Sequence, residues 1–192
     1  MPTANDTVRA TTHWKVDRWD ADQTGWVQRR SGLLTPAPAD FARAGVQPYL
    51  TTEVHGNLAT TAGLTRLTSL LTAGGGQAIV ATSSRIGVGN GAGTAAIGDT
   101  DLSASAGSSN RWFQVLDATY PQTSGGVLTL KATFGASDGN FAWAEFGIDI
   151  GTPTVTSGAT VNAVLFNHKT AIAQGTKANG QTWAATASVS FG

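Results

Sequence analysis

In the stretch GNFAWAEFGIDIG, residues 139–151, the carboxylate of Glu145 lies among aromatic residues. A carboxylic acid in apolar surroundings is the kind of group that a glycosidase uses as a general acid. Such an enzyme needs a second carboxylate across a cleft, and the only other glutamate of the chain is Glu53. Asp138 and Asp149 are the nearest aspartates in sequence, so they are the candidates for that second group.

A structural role for Glu145 is the competing interpretation. On a strand, Trp143 and Glu145 would share one face while Ala144 and Phe146 share the other, and both faces would be mostly apolar and covered. A buried carboxylate is costly unless it is paired or hydrogen-bonded. Three basic residues on neighbouring predicted strands could pair with it: Lys131, Lys169 and Arg111. We therefore predict a structural ion pair; a catalytic acid and a contact with another subunit remain the alternatives.

The glycine-rich segment RIGVGNGAGTAAIGDTDL, residues 85–102, suggests a phosphate loop at first sight. A P-loop requires Gly-Lys-Ser/Thr, and no lysine lies between residues 16 and 130. A dinucleotide fingerprint requires a following helix, and no helical apolar stripe follows. We predict a tight loop whose glycines adopt backbone conformations forbidden to other residues. Asp99 and Asp101 could hold Ca²⁺ or Mg²⁺, but such residues more often cap a turn.

The three histidines, His13, His55 and His168, are scattered along the chain without a His-x-x-x-His pair, which makes zinc an unfavoured prediction. A Ser-His-Asp triad stays open, because its members need not be neighbours in sequence. No Gly-x-Ser-x-Gly elbow supports it. We assign no catalytic, cofactor-binding or metal-binding residue from the sequence, and we expect a protein that is not an enzyme.

The composition restricts the partners. The 192 residues include 24 charged ones, the net charge is zero, and cysteine is absent. Without a basic excess, nucleic acid is not expected as a partner, and no apolar run is long enough to predict a membrane span. No secretory signal is visible at the start. Low charge together with 24 glycines indicates surfaces covered by neighbours, so we expect a homo-oligomer.

The elements that must position these residues are mainly strands. Residues 58–72 carry leucines at helical spacing, with Asn57, Thr60 or Thr61 as possible caps. Beyond residue 77 apolar residues alternate with polar ones, as in GVLTLKATF and TWAATASVSF, and glycine-containing turns separate the segments. We predict a mainly β domain over 51–192, an antiparallel β-sandwich or barrel with one short helix near 58–72.

Residues 1–50 differ from the rest, because tryptophans, charges and prolines are mixed in them. Prolines favour extended backbone, so we predict an extended N-terminal arm. Tryptophan and arginine are common interface anchors. The candidate interface residues are Trp14, Arg18, Trp19, Trp26, Arg29 and Arg30. The alternative is that the tryptophans fold back on their own domain.

Several segments in order resemble a family of structural proteins of tailed bacteriophages of actinobacteria. They are GNLATTAGLTRLTSLLTAGGG, RIGVGNGAGTAAIGDTDL, ATYPQTSGG, FGASDGNFAWAEFGIDIG and LFNHKTAIAQGTKANGQTW. The resemblance covers about residues 53–192 and implies a virion component: a capsid decoration, head-fibre or minor tail protein. It implies the major capsid protein or other virion proteins as partners, with assembly in the host bacterial cytoplasm. A host-surface carbohydrate-binding module is the alternative from another class.

Overall fold

Alternating apolar residues form two five-stranded antiparallel sheets in the computed structural model, which describes residues 10–151, 156–159 and 164–191. The strands are β1 (Ala10–Trp19), β2 (Leu50–His55), β3 (Leu58–Ala59), β4 (Ser84–Gly89), β5 (Arg111–Val115), β6 (Gln122–Ser124), β7 (Val127–Phe134), β8 (Glu145–Ile150), β9 (Val164–Thr170) and β10 (Thr182–Phe191). Sheet A has the order β2-β1-β10-β7-β6 and sheet B the order β3-β9-β8-β4-β5. The predicted mainly β, antiparallel sandwich is confirmed.

The core lies between the two sheets, because each sheet turns one apolar face inward. On β10, Trp183, Ala185, Ala187 and Val189 are buried in the core, as the sequence predicts, whereas Phe191, predicted on the same face, is 42% exposed. Trp183 meets Trp143 edge-to-face with ring centroids 4.8 Å apart. The predicted core position of Trp183 is confirmed.

Three helices accompany the strands. They are α1 (Ala21–Ser31), α2 (Pro38–Arg43) and α3 (Thr61–Leu71). The predicted helix near 58–72 is α3, and Thr60 is the cap, since its hydroxyl accepts the N–H of Gly63 at 2.9 Å. A Cβ on Gly63 would lie 2.8 Å from the Cα of Phe166, so α3 rests directly on β9. Among the described residues, no helix is long and apolar enough to span a membrane.

Residues 10–50 belong to the sandwich, which corrects the predicted division into an arm over 1–50 and a domain over 51–192. Strand β1 pairs along its whole length with β10 and along most of it with β2, so it is an interior strand of sheet A. The period of two in HWKVDRW places Trp14 and Val16 in the core. The prolines at 36, 38 and 48 come after this strand and do not interrupt it. Residues 1–9 of the predicted arm lie outside the described residues.

Helices α1 and α2, which the sequence did not predict, cover one end of the outer face of sheet A. Asp20 caps α1 in a capping box with Gln23, and Gly32 ends it with φ at 74°. Beneath the helices, Trp19 of β1 stacks on Phe41 of α2 with centroids 4.4 Å apart. This small second core fixes the helices to the sheet.

The outer face of sheet B is covered by residues 90–110, which connect β4 to β5 and which we call the clamp segment. Leu102 of this segment packs with Phe113 and Leu165 on the outer side of the sheet. All six residues of β4 and all six of β8 are buried. Sheet B is therefore covered on both faces at its centre.

Candidate functional site

Glu145 is the centre of a buried network of ionisable side chains between sheet B and the clamp segment. Its side chain is fully buried, and one oxygen lies 2.8 Å from Nε2 of His168. The other ring nitrogen of His168, Nδ1, lies 2.6 Å from a carboxylate oxygen of Asp99. The N–H groups of Ser103 and Ala104 each donate to Glu145 at 2.8 Å. We call Glu145, His168 and Asp99 the buried network.

The surroundings of His168 favour its imidazolium form. Both ring nitrogens lie against carboxylate oxygens, which only accept hydrogen bonds when ionised. Burial opposes the charge of His168, but its hydrogen bonds to Glu145 and Asp99 outweigh burial and raise the pKa of His168. Burial also opposes the charge of Glu145, yet the hydrogen bonds from His168, Ser103 and Ala104 outweigh it and lower the pKa of this carboxyl.

This arrangement leaves neither His168 nor Glu145 open to an outside group. A general base needs a ring nitrogen or carboxylate oxygen within reach of the proton that it removes. Here the nitrogens of His168 are occupied by two carboxylates, and Glu145 has no exposed surface. The network instead ties the clamp segment, through Asp99, Ser103 and Ala104, to strands β8 and β9.

Glu145 is buried and paired, as the structural interpretation expects, but its partners are not those predicted. The expected partners were lysines and an arginine on nearby strands, whereas the structure supplies His168 and two backbone amides. The prediction that Trp143 and Glu145 share one face is also wrong. Trp143 lies in the core between the sheets, while Glu145 faces the clamp segment. The reason is that regular strand begins only at Glu145, so the alternation does not extend back to Trp143.

The glycines before and within the clamp segment make room for this network. A Cβ on Gly91 would lie 2.5 Å from the N atom of Ala104 and 2.6 Å from Oε1 of Glu145. A Cβ on Gly93 would lie 2.6 Å from the hydroxyl of Ser103. Neither glycine has a positive φ, so the predicted reason for them, forbidden backbone conformations, is wrong at these positions. Close packing of backbone on a buried carboxylate requires them.

Two further ion pairs fix the same face. Asp101 accepts from Nη1 of Arg111 at 2.5 Å and from the N–H of Leu102 at 2.9 Å. Arg85 of β4 pairs with Asp149 of β8, and its guanidinium lies over the ring of Phe113 at 4.6 Å. The two aspartates that the sequence offered as a possible cation site, Asp99 and Asp101, thus bind a histidine and an arginine of their own chain.

Three of the six predicted interface residues lie inside the domain, which corrects the prediction for them. Trp14 is fully buried and stacks on Phe146 at 4.6 Å. Trp19 is buried under the helices. Arg18 is buried, and its guanidinium lies 4.2 Å from the ring centre of Trp183 and donates to Gln174 at 2.6 Å. These side chains fill their own core, because β1 is an interior strand.

The other three predicted interface residues, Trp26, Arg29 and Arg30, lie together on the solvent side of α1. Positions i, i+3 and i+4 of a helix share one face, and the guanidinium of Arg30 lies 5.5 Å from the ring centre of Trp26. Trp26 is 42% exposed, and Leu34, beyond the helix, is 88% exposed. We call Trp26, Arg29, Arg30, Leu33 and Leu34 the α1 patch. Shallow grooves lined by Trp26 and Arg29 on one side and by Arg30 and Leu33 on the other flank the helix.

The structure also brings together two histidines that looked unrelated in the sequence. His13 on β1 lies opposite His55 on β2, and their rings stack with centroids 4.5 Å apart. Glu53, two residues before His55, lies on the same side. Sequence reasoning missed this cluster because its signal is the pairing register of two strands that are about 40 residues apart in sequence.

No protein-family model, no curated protein and no solved structure matches the chain.

Proposed function

We propose that this protein is a non-enzymatic structural component of a tailed-bacteriophage virion, a decoration or cement protein bound in many copies to the lattice of the major capsid protein. The observation that carries the proposal is the α1 patch. Of the ten large apolar side chains exposed in the described residues, three, Trp26, Leu33 and Leu34, belong to the α1 patch. The resemblance of residues 53–192 to phage structural proteins supports the same class.

The α1 patch has the composition of a protein-binding surface. Tryptophan and arginine dominate the energetics of interfaces, and a tryptophan at the centre of a desolvated pocket is a typical anchor. Arg29 and Arg30 flank Trp26, while the third arginine of the helical layer, Arg43, is already paired with Asp40 at 2.9 Å. The complementary partner is an apolar pocket with a carboxylate-bearing rim.

The rest of the molecule supports a binding role rather than a reaction. The conspicuous charged groups of sheet B, which are Glu145, His168, Arg85 and Asp149, are buried and paired with one another. They hold the clamp segment and the strands in one arrangement. A rigid body with an exposed helical patch suits attachment to a repeating lattice, where each copy buries the same area.

The test compares Trp26→Ala with Leu71→Ala. Both remove an exposed apolar side chain from a helix, and Leu71 lies on α3, away from the α1 patch. Capsids of the phage that encodes the protein, prepared without it, are mixed with each purified variant and sedimented. We expect the wild type and Leu71→Ala to saturate the capsids at hundreds of copies, and Trp26→Ala to bind at least about tenfold more weakly.

Each other outcome points to a different role. Equal binding of Trp26→Ala and wild type to the capsids would show that the α1 patch is not the attachment surface. A handful of copies in purified virions would place the protein in the tail or baseplate. Binding to isolated host cell wall, lost in Trp26→Ala and absent for capsids, would favour a carbohydrate-binding module whose exposed tryptophan stacks on a sugar ring.

A further inference from the structure

His13, Glu53 and His55 form a compact cluster on the outer face of sheet A, at the end that the helices leave open. His13 and His55 are directly opposed in the antiparallel pair β1–β2, so their side chains leave the same face of the sheet. Glu53 shares this face, because it precedes His55 by two residues in the strand. The ligand atoms of the three side chains all lie within 4.8 Å of one another.

We infer that these three side chains bind a divalent transition-metal ion, with Zn²⁺ as the ion that fits best. Two imidazoles and one carboxylate are a known zinc ligand set, which leaves the fourth tetrahedral position to water or to a group of another molecule. Bonds of about 2.0–2.2 Å in a tetrahedral site put neighbouring donor atoms about 3.3 Å apart. To reach that spacing the donors must converge, and the two imidazole rings, which stack with an interplanar angle of 12°, must turn so that their in-plane lone pairs meet at the ion.

The side chains can converge while the backbone beneath them stays fixed. The side chains of His13 and Glu53 are 37% and 52% exposed, so rotation meets little packing. The backbone below is an antiparallel ladder, and beyond its last paired residue the N–H of Gly56 donates to the carbonyl of Thr12 at 2.9 Å. Gly56, which follows the strand, has φ at 82° and lines the same groove as the two histidines. A groove of about 350 Å³, lined in part by His13 and His55, gives an ion access.

The polar contacts within the cluster are incomplete without a cation. Nε2 of His13 lies 3.2 Å from a carboxylate oxygen of Glu53, but it is shielded from solvent and not aligned for a hydrogen bond. Lys15 lies opposite Glu53 in the ladder, yet its ammonium group bonds Asp17 at 3.1 Å. Among the described residues, His13 is the one ion-pair partner of Glu53. An ion between Glu53 and His13 would satisfy both groups.

The experiment titrates tag-free, full-length protein with ZnCl₂ in a calorimeter, and with Co²⁺ in a spectrophotometer. We expect one Zn²⁺ per chain and the intense visible absorption of tetrahedral Co²⁺. His55→Ala and Glu53→Gln should each weaken binding at least about tenfold, whereas Lys15→Ala, on the same face but outside the ligand set, should bind as the wild type does. Proton NMR should show the ring signals of His13 and His55 shifting on addition of Zn²⁺, with those of His168 unchanged.

Several results would overturn the inference. One is that no Zn²⁺ binds at one ion per chain. Another is a ratio of one Zn²⁺ to two chains, and a third is an equal affinity of His55→Ala and the wild type for Zn²⁺. Far-UV circular dichroism on each variant checks that the fold is intact, and the exposure of these side chains predicts that it is. The inference does not depend on the proposed function, because capsid binding through Trp26 and zinc binding through His55 are measured separately.

Discussion

The outer faces of the two sheets use the same residue types in opposite ways. On sheet B, Glu145 and His168 are fully buried beneath the clamp segment, and every polar atom of the pair faces a partner. On sheet A, Glu53, His13 and His55 lie at the surface with loosely aligned contacts. On sheet B, histidine and glutamate form a buried structural pair, whereas on sheet A they form an accessible set of possible ligands.

The difference comes from the segments that cover each sheet and not from the residue types. The clamp segment brings backbone N–H groups and an aspartate to the face of sheet B, and these satisfy the charges that burial would otherwise disfavour. Helices α1 and α2 cover only the end of sheet A near Trp19, and they leave the end near His13 open. Function is therefore expected on the helical layer and the open end of sheet A.

The largest expected effect comes from removing β1. A chain that starts at Tyr49 lacks the strand that pairs with both β2 and β10, and it loses Trp14 and Val16 from the core. We expect no cooperative unfolding transition and rapid proteolysis of this fragment. A truncated chain that folds and unfolds cooperatively would show that β1 and the two helices after it are an appendage, as the sequence predicted for residues 1–50.

The same substitution on the two faces should differ strongly in stability. Glu145→Gln removes the charge that faces a buried imidazolium, so we expect the free energy of unfolding to fall by about 3 kcal/mol. Glu53→Gln, measured in metal-free buffer, should change it by less than about 0.5 kcal/mol, as for most surface substitutions. Urea denaturation of both variants measures the difference. Equal losses would contradict the contrast between the faces.

A smaller effect tests the packing of the clamp segment. The methyl group of Gly91→Ala would strike Ala104 and Glu145, so we expect a loss of about 1–3 kcal/mol. Gly98→Ala is the matched control in the same segment, because no heavy atom outside its immediate chain neighbours lies within 4 Å of a Cβ there and its φ is not positive. Thermal unfolding of the two variants should rank them in this order. A destabilised Gly98→Ala beside an unchanged Gly91→Ala would refute the packing argument.

The smallest expected effect is a dependence of stability on pH. Because folding raises the pKa of His168, its protonated form stabilises the fold. This contribution is complete at pH values below the ordinary pKa of 6.5, and it is lost as pH rises through the pKa of the folded state. Because folding lowers the pKa of Glu145, its ionised form stabilises the fold. This contribution is complete at pH values above the ordinary pKa of 4.5, and it is lost as pH falls through the pKa of the folded state. The network should therefore contribute most between 4.5 and 6.5. Urea denaturation above pH 6.5 should show a decline that persists in His55→Gln and is absent in His168→Gln.

Local patterns predicted helix α3 and most strands beyond residue 77, but not the partners of the ionisable residues. The period of two in β7 and β10 and the leucine spacing of α3 are properties of neighbouring residues, so the sequence shows them directly. The contact between Glu145 and His168 depends on the register of β8 and β9, which shifts at Ile148 and Asp149. Asp99 comes from a loop far away in sequence. Such long-range pairings leave no local pattern.

The error at residues 10–50 has a related physical cause. An interior strand can still carry polar residues on the outer face of its sheet, so Lys15 and Asp17 made β1 look like a charged arm. The inner alternation of Trp14 and Val16 was present in the sequence, but the prolines further on obscured it. Its pairing with both β10 and β2 shows that β1 is interior.

The pairing of β1 with β10 also affects how the chain folds. Ala10 lies opposite Phe191, so the pair β1–β10 within sheet A brings together the two ends of the described chain. Contacts between residues so far apart in sequence slow folding, because a long loop must close before they form. On the ribosome, β1 is synthesised before β10, so this pairing forms only after residues 182–191 have been synthesised. A circular permutant that links residue 191 to residue 10 by a short turn makes this contact local, and it is expected to fold faster than the natural order of strands.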